Sequence, residues 1–433
     1  MTYRSPKYRE PEASAVVGTV AELFAGVGGC RIALAQSGWK TTFSNQWEPS
    51  TRVQHASECY VHRFGKEGHL NENFTDVVER HLATGGGLVP KTDLLVGGFP
   101  CQDYSVAKSL SQSKGLEGRK GVLWWDIQKL IASNKPKFIF LENVDRLLKS
   151  PSSQRGRDFA IILKTLGSLG YLIEWRVVDA SDYGFPQRRI RVFIVASRMS
   201  SRKQLIGLDP TTVISKTGVL ARSLPISGLA HEIRKIDLSE TPDQISIKFG
   251  EGSARSPFEN CGVFIDKFAY TVRTQPRYVG RLKTLGELLE TDLVDEEFFV
   301  HKDRLPEWRY LKGAKQVHRT HKASGFEYVF SEGRMTFPDK LDGPARTILT
   351  GEGGISPSRF KHVIRVDGKY RRLTPLELER LNGFPDNWSR DTDSGPIKPG
   401  RRAFFMGNAL VVGLVARVGK VLAQEMKSGT LVK

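Results

Sequence analysis

The chain is poor in cysteine. Cys30, Cys59, Cys101 and Cys261 are the only four among 433 residues, and no two lie close together. That excludes a disulfide framework, and no Cys/His spacing suits a zinc site. Long apolar runs are also missing: "LLVGGF" and "FIFLENV" fall far short of the ~20 residues that span a bilayer. The opening "MTYRSPKYREPEAS" carries no apolar stretch of signal-peptide type. We therefore expect an intracellular, cytoplasmic protein with no membrane and no metal, whose residues 1–17 form a flexible lead-in. His55, His62 and His69 recur every seven residues, but the residues between them are mostly polar or charged. A solvated helix face is the expectation there, not a ligand set.

What the chain has in excess is positive charge. Sixty-five Lys and Arg against 47 Asp and Glu give a formal net charge of +18. Such an excess favours a polyanionic partner through counterion release, whatever that partner's sequence. Charge alone does not separate a nucleic-acid enzyme from a basic but idle surface.

From Thr19 to about Ser197, strand-like runs alternate with amphipathic stretches. "TVAELFAG", "DLLVGGF", "KFIFLENV" and "IRVFIVAS" are near-continuous apolar runs, as expected of parallel strands covered on both faces. The fold class expected is α/β, a doubly wound, mostly parallel Rossmann-like sheet, with a smaller irregular domain. Residues 18–198 form the first domain. After residue 198 the pattern breaks into short runs rich in Lys, Arg, Gly and Ser, read as a second domain over 199–369. "RRLTPLELERLNGFPDNW" starts a helix at Thr374 and Pro375 within a hinge, 370–404. The periodic "GNALVVGLVARVGKVLAQEM" reads as a buried helix within 405–433 that returns to the first domain.

In open sheets of this type, ligands bind beyond the carboxyl ends of the strands. "AELFAGVGG" puts a glycine-rich turn with Gly26, Gly28 and Gly29 at the end of the first strand. The second strand ends in "NQWEPS", where Trp47 offers an indole for a purine and Glu48 an acid for ribose hydroxyls. Asp76 is an acceptor for a purine amino group. Cys101 follows a rigid Pro100 turn after an apolar strand, and Glu142 closes another strand in "FLENV". A thiol displayed at a cleft rather than packed in a core is a candidate nucleophile, provided that nearby positive charge assists it. "YGFPQRRIRVF" supplies that charge, with Arg189 and Arg191 on the same side of a strand.

These fragments resemble the cytosine-C5 DNA methyltransferase family. "FAGVGG", "GFPCQDYS", "ENV", "YGFPQRRIRVF", "RRLTPLELERLNGFP" and "GNALVVG" occur in the family's order along nearly the whole chain. The resemblance implies a class I methyltransferase fold with S-adenosylmethionine as the methyl donor. It assigns Phe24, Ala25, Gly26, Gly28 and Gly29 to the donor's methionine part. Trp47 and Asp76 fall to its adenine, and Val77, Pro100, Leu123, Asn408 and Ala409 to the rest of the pocket. The family's ribose acid sits where this chain has Gln46, so either Gln46 or Glu48 takes that part. Residues 199–369 become the target-recognition domain, with Arg346, Arg359 and Lys361 nearest the DNA.

The chemistry asks for these residue types. Carbon 5 of cytosine becomes nucleophilic once a thiolate, here Cys101, adds to carbon 6. Glu142 donates a proton at N3 and Arg191, with Arg189, holds O2 as charge develops on the ring. The target base must first leave the duplex, at a cost of about a few kcal/mol. The polar, basic segment 105–121 is the candidate lid. The resemblance implies double-stranded DNA as partner and a bacterial restriction-modification or defence setting with a cognate nuclease. The same chemistry on transfer RNA, and a DNA-binding protein without catalysis, are the alternatives.

Overall fold

The computed structural model describes residues 8–99, 123–199, 207–320 and 325–429. Cys101, Pro100 and the candidate lid therefore lie outside the described residues. Seven strands carry the first part of the fold: β1 (Gly18–Leu23), β2 (Trp39–Asn45), β3 (His69–Leu70), β4 (Leu94–Gly98), β5 (Phe138–Val144), β6 (Tyr171–Asp179) and β7 (Ile190–Arg198). They lie in the order β3-β2-β1-β4-β5-β7-β6. Pairing is parallel from β3 to β5, while β7 runs antiparallel to both its neighbours.

Strand pleating sorts the apolar runs into two cores. In β4, Leu94 and Val96 join Val20, Leu34 and Phe140 on one face, while Leu95 joins Leu23, Ile139 and Leu141 on the other. The first face is covered by α1 (Gly29–Ala35) and by the C-terminal helix. The second is covered by α3 (Phe74–Ala83), α4 (Leu123–Asn134) and α5 (Arg157–Ser168). Helix α2 (His55–Phe64) lies between β2 and β3 in sequence. With both faces dry, no strand in the centre needs polar alternation, which is why these runs stood out.

The sheet does not stop at Arg198. Beyond α6 (Val219–Ser223), strands β8 (Arg234–Asp237), β9 (Cys261–Ile265) and β10 (Phe268–Val272) extend it to ten, with β9 pairing antiparallel to β6. Helix α7 (Pro242–Lys248) packs on α5 in the same layer. The change of texture after residue 198 thus marks shorter strands, not the end of the sheet.

Beyond Val272 the chain is irregular: α8 (Leu305–Lys312), a two-stranded ribbon of β11 (Lys315–Thr320) and β12 (Glu327–Glu332), and a hairpin of β13 (Val363–Val366) and β14 (Lys369–Arg372). Helix α9 (Pro375–Asn382) opens with a capping box in which Thr374 and Glu377 bond each other's backbone N–H. After α10 (Pro399–Asn408), helix α11 (Val412–Ser428) packs on α1, and Trp39 Nε1 donates to the Gly419 carbonyl at 2.9 Å. The described part of the lead-in packs on the first domain: Tyr8 lies edge-on against Phe64 at 4.8 Å and Glu10 pairs with Arg31. An aromatic and an acid that find partners on α1 and α2 override the polar composition.

Candidate active site

β1 runs out at Leu23, and the chain turns into α1 through positive φ at Phe24 (54°), Gly26 (55°) and Gly28 (87°). Phe24 is held in this unfavourable conformation by edge-on packing on Phe74 at 5.1 Å. At Gly28 a side chain would be strained at φ 87° and would have to displace the Phe64 ring, since a Cβ would lie 2.2 Å from Phe64 Cε2. The turn is clamped from β2: Ala25 N–H donates to the Asn45 carbonyl at 2.9 Å, and Gly26 N–H donates to Gln46 Oε1 at 2.7 Å. Gln46 is buried, with its side-chain oxygen spent on that clamp.

The neighbouring residues divide. Trp47 is 39% exposed, leaving an indole face available. Glu48 pairs through Oε1 with Arg401, whereas its Oε2 is buried with no partner among the described residues. Asn71, which carries no signal in the sequence, follows β3 and donates from Nδ2 to the Gln46 carbonyl at 2.6 Å. Asp76 is exposed in the first turn of α3, and Val77 is fully buried, so its side chain is a core group. Leu123 and Phe24 fringe the same core. Asn408 is exposed at the end of α10, and Ala409 is half-buried. Leu410, next along, lies against Gly29, bringing this segment to the glycine turn.

A second cluster sits beside the first. Gly98, the last residue of β4, is in register with Glu142 on β5. Any Cβ at position 98 would lie 3.1 Å from Glu142 Oε2, so glycine leaves room for the carboxylate. Glu142 Oε1 lies 2.9 Å from Arg191 Nε, with 16% and 18% of the two side chains exposed. Asn143 donates from Nδ2 to the Phe99 carbonyl at 3.0 Å and accepts from Val144 N–H at 2.8 Å. This amide fixes the chain two residues before Cys101.

Arg189 does not join Arg191. It is buried, donating to the Ile348 carbonyl at 3.3 Å and the Gly407 carbonyl at 3.1 Å, while burial and the charge of Arg191 push its pKa down to about 9. It precedes β7 and turns into the interior, where it ties the 345–348 segment to α10. Gln187 does similar work, donating to Asn382 at 2.9 Å and accepting from Ile348 N–H at 3.2 Å. Neither role had a local signal, because every partner is distant in sequence.

The basic residues expected at the DNA are likewise engaged internally. Arg346 holds Asp339 at 2.7 Å and donates to the Phe360 carbonyl at 3.1 Å. Arg359 donates to the carbonyls of Leu311, Gly313 and Gly333. Lys361 is buried and donates to the carbonyls of Gly354 and Ser356. These three are struts. His69 also departs from expectation: it lies on β3 rather than a helix face, bonded to Ser44 at 2.8 Å and Ser57 at 2.7 Å. Burial, helped by the charge of Arg31, pushes its pKa down to about 4.

Cys30, Cys59 and Cys261 are buried, and burial pushes the Cys59 thiol up to about 12. They are core groups. Among the described residues no cluster of His, Cys, Asp or Glu could hold a metal ion, and no single helix is long and apolar enough to cross a membrane.

Comparison with known proteins agrees with this geometry. Type II methyltransferase M.Sau3AI of Staphylococcus aureus is 46% identical over 405 residues, covering 92% of this chain and 94% of its own. Type II methyltransferase M.HhaI of Haemophilus parahaemolyticus is 33% identical over 177 residues, 41% of this chain and 48% of that protein. The S. pombe Dnmt2 methyltransferase structure aligns with a TM-score of 0.56 at 14% identity, covering 96% of this chain and 100% of that one, a likeness of fold alone. The family profile described as C-5 cytosine-specific DNA methylase matches residues 18–424. With a glycine turn and a carboxylate–arginine pair at the strand ends, and a profile match over nearly its whole length, the chain belongs to the C-5 cytosine-specific DNA methylase family and is a DNA (cytosine-5) methyltransferase.

Proposed function

We propose that the enzyme takes S-adenosylmethionine as its donor and acts on a cytosine rotated out of duplex DNA, with Cys101 as nucleophile. The residues present suit that donor. The left-handed turn leaves Gly26 open, with nothing within 4 Å of a Cβ there among the described residues. Trp47 presents a partly exposed ring, and Glu48 Oε2, buried and without a partner among the described residues, suits a ribose hydroxyl where Gln46 Oε1 is already committed. When bound, the donor supplies a methyl group on a sulfonium centre.

The chain's own residues prepare the acceptor. The Cys101 thiolate bonds to cytosine C6, and the ring electrons move toward N3 and C5. Glu142 gives N3 a proton, while Arg191 beside it holds O2 against the charge that develops. Once C5 is methylated, a base takes the C5 proton, the S–C6 bond breaks, the N3 proton returns to Glu142, and the ring and the thiolate are restored. The observation that carries this reading is the Glu142–Arg191 pair standing next to the Asn143–Phe99 hydrogen bond, two residues before Cys101 in the sequence.

Residues 18–272 with 405–429 are the catalytic unit in this reading, 370–404 the hinge, and 273–369 the target-recognition unit. Support for the last comes from its docking on the segment that leads into β7: Arg188 N–H donates to the Ala345 carbonyl and Ala345 N–H to the Pro186 carbonyl, both at 2.8 Å. A restriction-modification role is supported by the names of the relatives, both Type II methyltransferases. The test is methyl transfer to duplex DNA against transfer RNA, followed by duplex carrying 5-fluorocytosine at the methylated site. A donor-dependent covalent adduct lost in Cys101→Ser is expected; absence of any adduct with the native chain removes Cys101 from the mechanism.

A further inference from the structure

Ribbon β11–β12 is unusual in this molecule because neither of its faces is covered by the described residues. Of its twelve residues only Lys315, Phe330 and Glu332 are even partly buried. An isolated two-stranded ribbon is marginal in water, so its position depends on its roots. Arg359 holds both at once, donating to the carbonyls of Leu311 (3.0 Å) and Gly313 (3.1 Å) before β11 and of Gly333 after β12. Met335 N–H donates to the Lys312 carbonyl at 2.8 Å, and Lys315 pairs with Glu332 at 3.4 Å. The ribbon is an arm on a stapled base.

Its two faces differ in chemistry. The register pairs Val317 with Phe330 and Arg319 with Tyr328, and on that face Arg319 lies over the Phe330 ring at 3.8 Å. The opposite face presents Gln316, His318 and Thr320 beside Ser331, Val329 and Glu327, all exposed. These are the groups that discriminate base edges: an amide for adenine, hydroxyls for several bases, a carboxylate for the cytosine amine, a branched alkyl for the thymine methyl. The surroundings are basic, with eight Lys and Arg against four Asp and Glu between Phe299 and Arg334. Six residues per strand span ~20 Å, and a two-stranded ribbon fits a major groove about 12 Å wide.

We infer that β11–β12 enters the DNA major groove and that its Gln316/His318/Thr320/Ser331 face reads bases of the target sequence. This rests on the DNA-methylating activity assigned above and says which element sets its specificity. The base is tied to the active site: Arg359 braces the ribbon, Arg346 braces the Phe360 carbonyl next to it, and the neighbouring Thr347 hydroxyl donates to the Arg188 carbonyl. A base read by the ribbon is thereby held at a fixed offset from the one offered to Glu142.

The experiment uses the full chain and a duplex pool randomised around one cytosine, with methylated positions read by sequencing. Gln316→Ala, His318→Ala and Ser331→Ala are compared with the native chain, and thermal melting confirms that each is folded. Binding competition between the native target and its single-base variants gives the same ratio for any variant too slow to sequence. At least one substitution is expected to lower discrimination at a defined base position by tenfold or more, leaving the others unchanged. Arg319→Ala, by contrast, should weaken binding to all sequences alike. If all three variants keep the native preference within twofold at every position, the ribbon does not read the target. If the native chain methylates no duplex in the pool, it is the DNA activity that fails.

Discussion

Arg191 and Glu142 meet diagonally across two antiparallel strands: Arg191 stands opposite Val144, and its Nε reaches back two residues to Glu142 Oε1 at 2.9 Å. Side chains two apart on one face of such a pair are within reach for long residues. The contact turns the carboxylate so that its other oxygen lies against Gly98, at the end of the strand leading to Cys101. Carboxylate and guanidinium are thus set by strand register rather than by loop conformation.

Glu142→Gln keeps shape and hydrogen bonding but cannot pass a proton to N3. We expect kcat to fall by about 100- to 10,000-fold, with affinity for target duplex within a few-fold of native. Single-turnover methyl transfer and a binding titration measure the two quantities separately. A kcat within threefold of native would remove proton donation from Glu142.

Arg189 gives a contrasting prediction. Its guanidinium is the donor for two buried carbonyls, at Ile348 and Gly407, from elements far apart in sequence. Arg189→Met removes both hydrogen bonds, and we expect a loss of about 2–4 kcal/mol in denaturant unfolding. Amide exchange should quicken first around 345–348. A variant as stable as native with lowered kcat would instead place Arg189 at the substrate.

The contrast between these two arginines shows what was legible in the sequence. The strands with both faces buried stood out as apolar runs, and with them the glycine turn, Glu142 and Arg191 at the strand ends. β9, only five residues long amid basic and turn-forming sequence, did not, although all five are buried. Arg346, Arg359 and Lys361 carry the residue types of a DNA surface, but Asp339 and a set of backbone carbonyls draw them inward. Burial of a cation is decided by partners that only the tertiary fold assembles. Asn143, Gln187 and Asn71 act on backbone groups, which no side-chain pattern announces.

Glu48 bears on the donor site. Its Oε2 is buried and has no partner among the described residues, while Gln46 is fixed on Gly26 N–H at 2.7 Å. Glu48→Gln is expected to raise KM for S-adenosylmethionine about tenfold, the value of one hydrogen bond to a charged group, with kcat little changed. Gln46→Ala should lower both affinity and Tm, because it releases the turn itself. If Glu48→Gln leaves KM at the native value, the ribose is held elsewhere.

Glu174 predicts a pH dependence of stability independent of catalysis. Its carboxylate is buried under α6, accepting from Val219 N–H at 2.8 Å and Leu220 N–H at 3.0 Å. Burial pushes its pKa up to about 7 from 4.5, the two N–H bonds offsetting only part of that cost. Between those values the folded chain binds more protons at this site than the unfolded chain does, so stability falls as pH rises. The contribution is complete below about pH 4.5 and lost as pH passes through 7. Glu174→Gln cannot titrate, so its stability should decline less between pH 5 and pH 8 than that of the native chain, measured as denaturant midpoints in matched buffers. Parallel curves for the two proteins would show that Glu174 stays ionised in the fold and that the α6 cap is strong enough to hold a buried charge.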